Sequence, residues 1–383
     1  MTLTEAPALT PNPTITDWPA VAEGIGEIVR PTVADNDRTG EISRLAYEHL
    51  RAEGVTSALV PREFGGGGAS HETMGTILRT LGRVDAPTAL TLSMHSHVLG
   101  TQVWRHNRGM NAETVFRAVV DDRAVLISTG ASDWLSSSGA ARKVEGGFRV
   151  DARKMPASGC EVGNILATSV RWEDAPEGPR VIHCSIPFTA EGVSIEKTWD
   201  TLGMRATGSH TVVYDDVFVP DAAVLFTRPA DVWHPFFSTV LGVALPLIMS
   251  PYLGIADAAV EEVRRVAGGR SDEHVVQLAG EMITAHARAK DAVAAMFADA
   301  DDLRFDNTDE LASRTLARKT IACEGAIDTV RLAIEATGGM GYTRSSVLER
   351  LYRDVHGCLF HPLSRAKQTR FSGRVALGLD PIG

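Results

Sequence analysis

Basic residues are in the minority in this 383-residue chain: 38 Lys and Arg stand against 48 Asp and Glu, a formal net charge of −10. Binding nucleic acid needs a concentrated basic face to meet phosphates, so a nucleic-acid partner is excluded. Cysteine is scarce as well. Cys160, Cys184, Cys323 and Cys358 lie far apart with no Cys-x-x-Cys pair. That leaves neither a disulfide framework nor a thiolate zinc site, no metal is expected, and a reducing cytoplasm fits. Long hydrophobic runs are missing too. The most apolar stretch, 236–255, is interrupted by Pro246 and Pro251, so a buried core helix is expected there and no membrane span. Residues 1–17 carry neither the basic nor the apolar region of a signal peptide and read as a polar arm.

What is present is ordinary for a soluble globular protein, with 44% hydrophobic and 22% charged residues. Residues 18–122 have helical periodicity, as in Ile42, Leu45, Ala46 and Leu50, which share one face. From 123 to 222 the pattern becomes short β-branched runs such as Leu126-Ile127-Ser128, Ile165-Leu166-Ala167 and Thr211-Val212-Val213, punctuated by turns. An antiparallel barrel or sandwich is expected, ending at Pro220. Residues 223–383 return to long alanine-rich helices with short connections, which predicts a four-helix bundle. The fold class is therefore α+β, in the order helical, β, helical.

Glycine marks two places. Gly65-Gly66-Gly67-Gly68 has no Lys-Ser/Thr after it and no strand before it, so it reads as a turn and not a phosphate loop. Gly338-Gly339-Met340-Gly341 is followed by a helical run and then by His356 and His361. Clustered glycines let backbone N–H groups approach a phosphate, and histidines titrate near neutral pH.

Four strings carry a resemblance: VPREFGGGGAS (60–70), VEGGFRVDARKMPASG (144–159), LGMRATGSHTVVYDDVFVP (202–220) and IEATGGMGYT (334–343), with ERLYRD (349–354) after the last. In this order they resemble the acyl-CoA dehydrogenase superfamily over nearly the whole chain. The resemblance implies an N-terminal α-helical domain, a central antiparallel β-barrel and a C-terminal four-helix bundle. It further implies FAD, with FMN as the alternative, bound between barrel and bundle of a homodimer or homotetramer. Its first flavin loop corresponds to Ser128, Thr129 and Ser132. Its second corresponds to 155–159, with the Ser158 hydroxyl beside the reactive edge of the flavin. Glu335, Gly338, Gly339 and Gly341 match a contact with a neighbouring subunit's flavin, and Arg270 is the candidate on the adenine side.

The proton-abstracting Glu of that family is missing. After Arg353-Asp354 its place is taken by Pro362, and the alternative site in 240–254 contains no acid. His361, tied to the same motif, is the candidate catalytic group, with Ser158 and His95 as further candidates; His97, on the same helix as His95, is its alternative. Pro156-Ala157-Ser158-Gly159-Cys160 is similar to the flavin-dependent monooxygenase branch of the superfamily. Three functions follow: acyl-CoA dehydrogenase-like CH-CH oxidation, monooxygenation using reduced flavin and O2 with a flavin reductase or other electron-transfer partner, or a non-catalytic flavoprotein subunit. The substrate would be a small molecule, an acyl-CoA in the first case.

Overall fold

The computed structural model describes residues 16–130 and 133–383. Six helices come first: α1 (Trp18–Val29), α2 (Val33–Thr39), α3 (Arg44–Ala52), α4 (His71–Gly82), α5 (Ala86–His106) and α6 (Glu113–Val120). Their starts are written in the sequence, since the side chains of Asp17, Ser43, Ser70 and Asp85 cap α1, α3, α4 and α5 by accepting first-turn N–H groups. The expected polar arm lies almost wholly outside the described residues.

Eight strands follow: β1 (Leu126–Ser128), β2 (Ala140–Val144), β3 (Gly147–Lys154), β4 (Ile165–Trp172), β5 (Arg180–Pro187), β6 (Val193–Glu196), β7 (Thr211–Pro220) and β8 (Val224–Pro229). They form one sheet in the order β6-β7-β3-β2-β4-β5-β8, with β1 on β4. This corrects the expected antiparallel barrel. β1 and β2 both run parallel to β4, and the strand order does not close on itself. Short turns force antiparallel pairing only between consecutive strands, as in β2–β3 and β4–β5. β1 reaches β4 after a long excursion through the β2–β3 hairpin, and the chain returns in the same direction. The sheet also runs past Pro220: β8 pairs with β5.

The last third holds α7 (Pro235–Ala267), α8 (Glu273–Ala300), α9 (Asp309–Thr337), α10 (Val347–Val355) and α11 (Arg365–Ala376). α7, α8 and α9 pack on one another, with α10 and α11 against α9. Among the described residues α7 is the one helix long and apolar enough to cross a membrane, yet 94% of its apolar window is buried inside the fold. It is a core helix. It crosses α4 at close range because Gly82 and Gly254 bring the two backbones together: a Cβ on either would sit within 2.7 Å of a carbonyl oxygen of the other helix.

Candidate active site

Between the sheet and the C-terminal helices lies a cavity of about 1980 Å³, whose walls come from α5, β1, the loops after β3 and β6, α7 and the segment joining α10 to α11. The motif Arg353-Asp354 assembles it. Arg353 pairs with Asp37 of α2 at 2.7 Å and with Glu349 of its own helix at 2.7 Å. Buried Asp354 accepts the Met204 N–H at 2.5 Å. Gly203 lies so close that a Cβ there would stand 2.2 Å from the Arg353 carbonyl oxygen. The loop before β7 is thus pressed onto α10, and the chain leaving α10 carries His361 into the cavity wall.

His361 Nε2 lies 2.7 Å from Tyr252 Oη of α7. Burial lowers the imidazole to a pKa of about 3, helped by Lys319 and His97. Burial also raises the Tyr252 phenol well above its ordinary value. Both groups are neutral at pH 7. Ser158 ends a chain of hydroxyls, since Ser209 Oγ donates to Ser158 Oγ at 2.8 Å and meets Thr207 Oγ1 at 2.7 Å. Thr129 Oγ1 donates to Thr168 Oγ1 at 2.7 Å. The cavity lining also holds an aromatic cluster in which Trp134 stacks on Trp233, centroids 6.0 Å apart, and Trp233 meets Phe371 edge-on.

Asp133 is the one carboxylate among the described residues lining the cavity. It is committed to Lys154, which is fully buried and reaches it at 2.5 Å while also binding the Ser138 carbonyl and hydroxyl.

Of the residues expected from sequence, Ser128, Thr129, Ser158 and His361 line this cavity. His95 does not. Its Nε2 meets the Thr56 carbonyl at 2.7 Å and its Nδ1 accepts the Leu126 N–H at 2.9 Å, so the ring joins α5 to β1. Residues two apart on a helix point about 200° apart, so only one of His95 and His97 can face inward. That one is His97: Nδ1 meets the Ser93 carbonyl, and the other ring nitrogen has no partner among the described residues. Arg270 pairs with Asp272 and Glu335 with Arg331, both away from the cavity. Gly338, Gly339 and Gly341 also lie outside it, in a turn whose Met340 and Tyr342 are 67% and 83% exposed. Ser132 falls outside the described residues.

Two important neighbours were missed. Tyr252 is a polar tip within the mostly apolar, buried stretch 241–256 of α7, and Lys319 falls in the buried stripe Ala312, Leu316, Cys323, Ala326 and Val330 of α9. A polar or charged residue inside an apolar periodicity is the signal that could have found both.

The family model for the acyl-CoA dehydrogenase N-terminal domain matches residues 20–108, and that for the C-terminal domain matches 247–365. Together they take in more than half of the chain. It belongs to the acyl-CoA dehydrogenase superfamily. Within that superfamily the chain is similar to an amino sugar nitrososynthase of Streptomyces peucetius, 29% identical over 90% of this chain and 89% of the relative. It is also similar to a dibenzothiophene monooxygenase of Mycolicibacterium goodii, 26% identical over 94% of each. Among solved structures, KijD3 in complex with FMN and a dTDP-linked 3-amino-4-keto sugar has a TM-score of 0.85 and 26% identity, covering 95% of both chains.

Proposed function

We propose that the chain is a flavin-dependent monooxygenase that uses reduced flavin and O2 to transfer one oxygen atom to a nitrogen or sulfur of a small substrate. The observation that carries this reading is the state of Asp133, the one acid lining the cavity among the described residues. Removing the α-proton of an acyl thioester needs a base within reach of the carbon. Asp133 is held by Lys154, and an imidazole with a pKa of about 3 is too weak to replace a carboxylate. CH-CH oxidation therefore ranks second, reversing the order expected from family resemblance.

The residues fit a flavin. A tricyclic ring with polar atoms on one edge suits a pocket lined both by neutral hydroxyls and by aromatic and aliphatic side chains. Ser158, Thr129 and Ser128 would meet the polar edge, FMN or FAD alike. Reduced flavin, when bound, supplies the two electrons with which dioxygen is activated, one oxygen atom going to substrate and the other to water. Ser158, Tyr252 and His361 then offer hydrogen bonds without bringing charge, while the apolar walls exclude bulk water. The relatives act on an amino sugar and on dibenzothiophene, which supports nitrogen or sulfur as the acceptor atom.

A separate reductase would deliver the reduced flavin, and the exposed turn 338–341 would meet a neighbouring subunit in a dimer or tetramer. The test pairs two conditions. With reduced FMN or FAD and 18O-labelled dioxygen, a panel of amines and sulfides should yield singly labelled product. Anaerobic bleaching of bound flavin by acyl-CoAs would overturn the assignment in favour of dehydrogenation.

A further inference from the structure

Lys319 is 2% exposed and has no carboxylate within ion-pair reach among the described residues. An ammonium buried in this way is costly unless its hydrogens are taken up. Here they go to two main-chain carbonyls, His361 O at 3.0 Å and Leu363 O at 3.3 Å. Those carbonyls flank Pro362, which has no N–H of its own to hold the segment. His361 itself is extended, at φ −69 and ψ 143, just past the short helical turn 356–360. An irregular segment turned into the protein needs internal donors for its carbonyls, and a lysine has three to give.

We propose that Lys319 is a positioning residue for His361: by clamping the carbonyls on either side of Pro362 it sets the backbone from which the imidazole reaches Tyr252. Three helices converge on that ring, with His97 from α5, Tyr252 from α7 and Lys319 from α9. Cys358, Cys323 and Asp354 are the titratable groups near enough to Tyr252 to act on its phenol. The cation also opposes protonation of His361, second only to burial. One residue therefore fixes where the ring is and adds to burial in keeping it neutral.

The role of His361 in turnover belongs to the monooxygenase reading, but its placement by Lys319 is tested without flavin or substrate. Protein labelled with 13Cε1-histidine gives one signal per imidazole, with His361 assigned by its loss in His361→Gln. In Lys319→Gln the His361 signal should shift and titrate at a higher pH than in the wild type, while the His95 signal stays in place. Lys319→Arg, which keeps charge and donors, should restore the wild-type behaviour. A folded Lys319→Gln protein with an unchanged His361 titration would overturn the proposal. So would His361 and His95 signals disturbed alike, or failure of both Lys319→Gln and Lys319→Met to fold, since each would make Lys319 a general staple of the fold. If the positioning holds and His361→Gln turns over normally, the monooxygenase role of His361 fails while the clamp stands.

Discussion

Tyr252 and His361 meet Oη to Nε2 across 2.7 Å with no charge on either at neutral pH. A neutral phenol carries one hydrogen and a neutral imidazole carries one. The bond between them uses one of the two, whichever group donates. The pair therefore always keeps one hydrogen to give, and both rings line the cavity.

His361→Ala should lower turnover by about 100-fold or more, the range for losing a positioned proton donor or acceptor. Flavin binding should be largely kept, because the hydroxyls of Ser158 and Thr129 are untouched. Tyr252→Phe removes only the partner and should cost less. Steady-state rates beside a flavin titration check both, and wild-type turnover in His361→Ala would take the residue out of the mechanism.

Ser158→Ala removes the hydroxyl at the end of the Thr207-Ser209-Ser158 chain. One hydrogen bond of about 1 kcal/mol corresponds to roughly a fivefold loss of flavin affinity. Ser209→Ala leaves Ser158 in place but frees it to rotate, so a smaller loss is expected. The visible spectrum of the bound flavin should shift in the first variant more than in the second.

Lys154→Met should destabilise the fold by about 3–5 kcal/mol, the usual cost of leaving a buried charge without its partner. Asp133 would be the stranded group. Denaturant unfolding measures the loss. Adding Asp133→Asn to the same protein should recover part of it, and an unaffected midpoint in the single variant would show that the pair is not buried in solution.

Acid should weaken the protein below pH 6.5. His71, His95 and His97 are lowered to about 4, and His183 and His361 to about 3, with burial the largest cause in all five. As pH falls from 6.5, the unfolded chain takes up protons on these rings and the folded chain does not, so stability drops through that window. Each ring contributes up to about 1.4 kcal/mol per pH unit. Asp354, raised by burial to about 6, opposes the trend between pH 6 and 3.8, because there the folded carboxyl holds the proton. Thermal midpoints at pH 7.5, 6.5 and 5.5 test the balance, and a flat profile would contradict neutral buried rings.

The succession of helices, strands and helices was legible because period and composition change sharply near residues 123 and 223. Of the four residues found in the cavity wall, Ser158 sits on a string that carries the family resemblance, and Ser128, Thr129 and His361 correspond to family positions by their place between such strings, where order along the chain encodes position in space. What could not be read were relations between distant segments. The parallel pairing of β1 with β4 depends on the path taken by the intervening hairpin. Tyr252 and His361 are 109 residues apart, and nothing local to either names the other. His95 was misplaced for a different reason: helical geometry already allowed only one of His95 and His97 to face inward. The absence of a carboxylate was plain at Pro362, but that Asp133 is neutralised required its contact with Lys154.

The chain has six tryptophans, and four of them, Trp104, Trp134, Trp199 and Trp233, line the cavity. Most of the protein's ultraviolet emission therefore arises where a ligand would lie. Flavin absorbs at the wavelengths that tryptophan emits, so its entry should dim that emission by energy transfer over short distances. A colourless substrate arriving afterwards would change the polarity around the same rings. Occupancy can thus be followed in unlabelled protein from its own light, before any product has been identified.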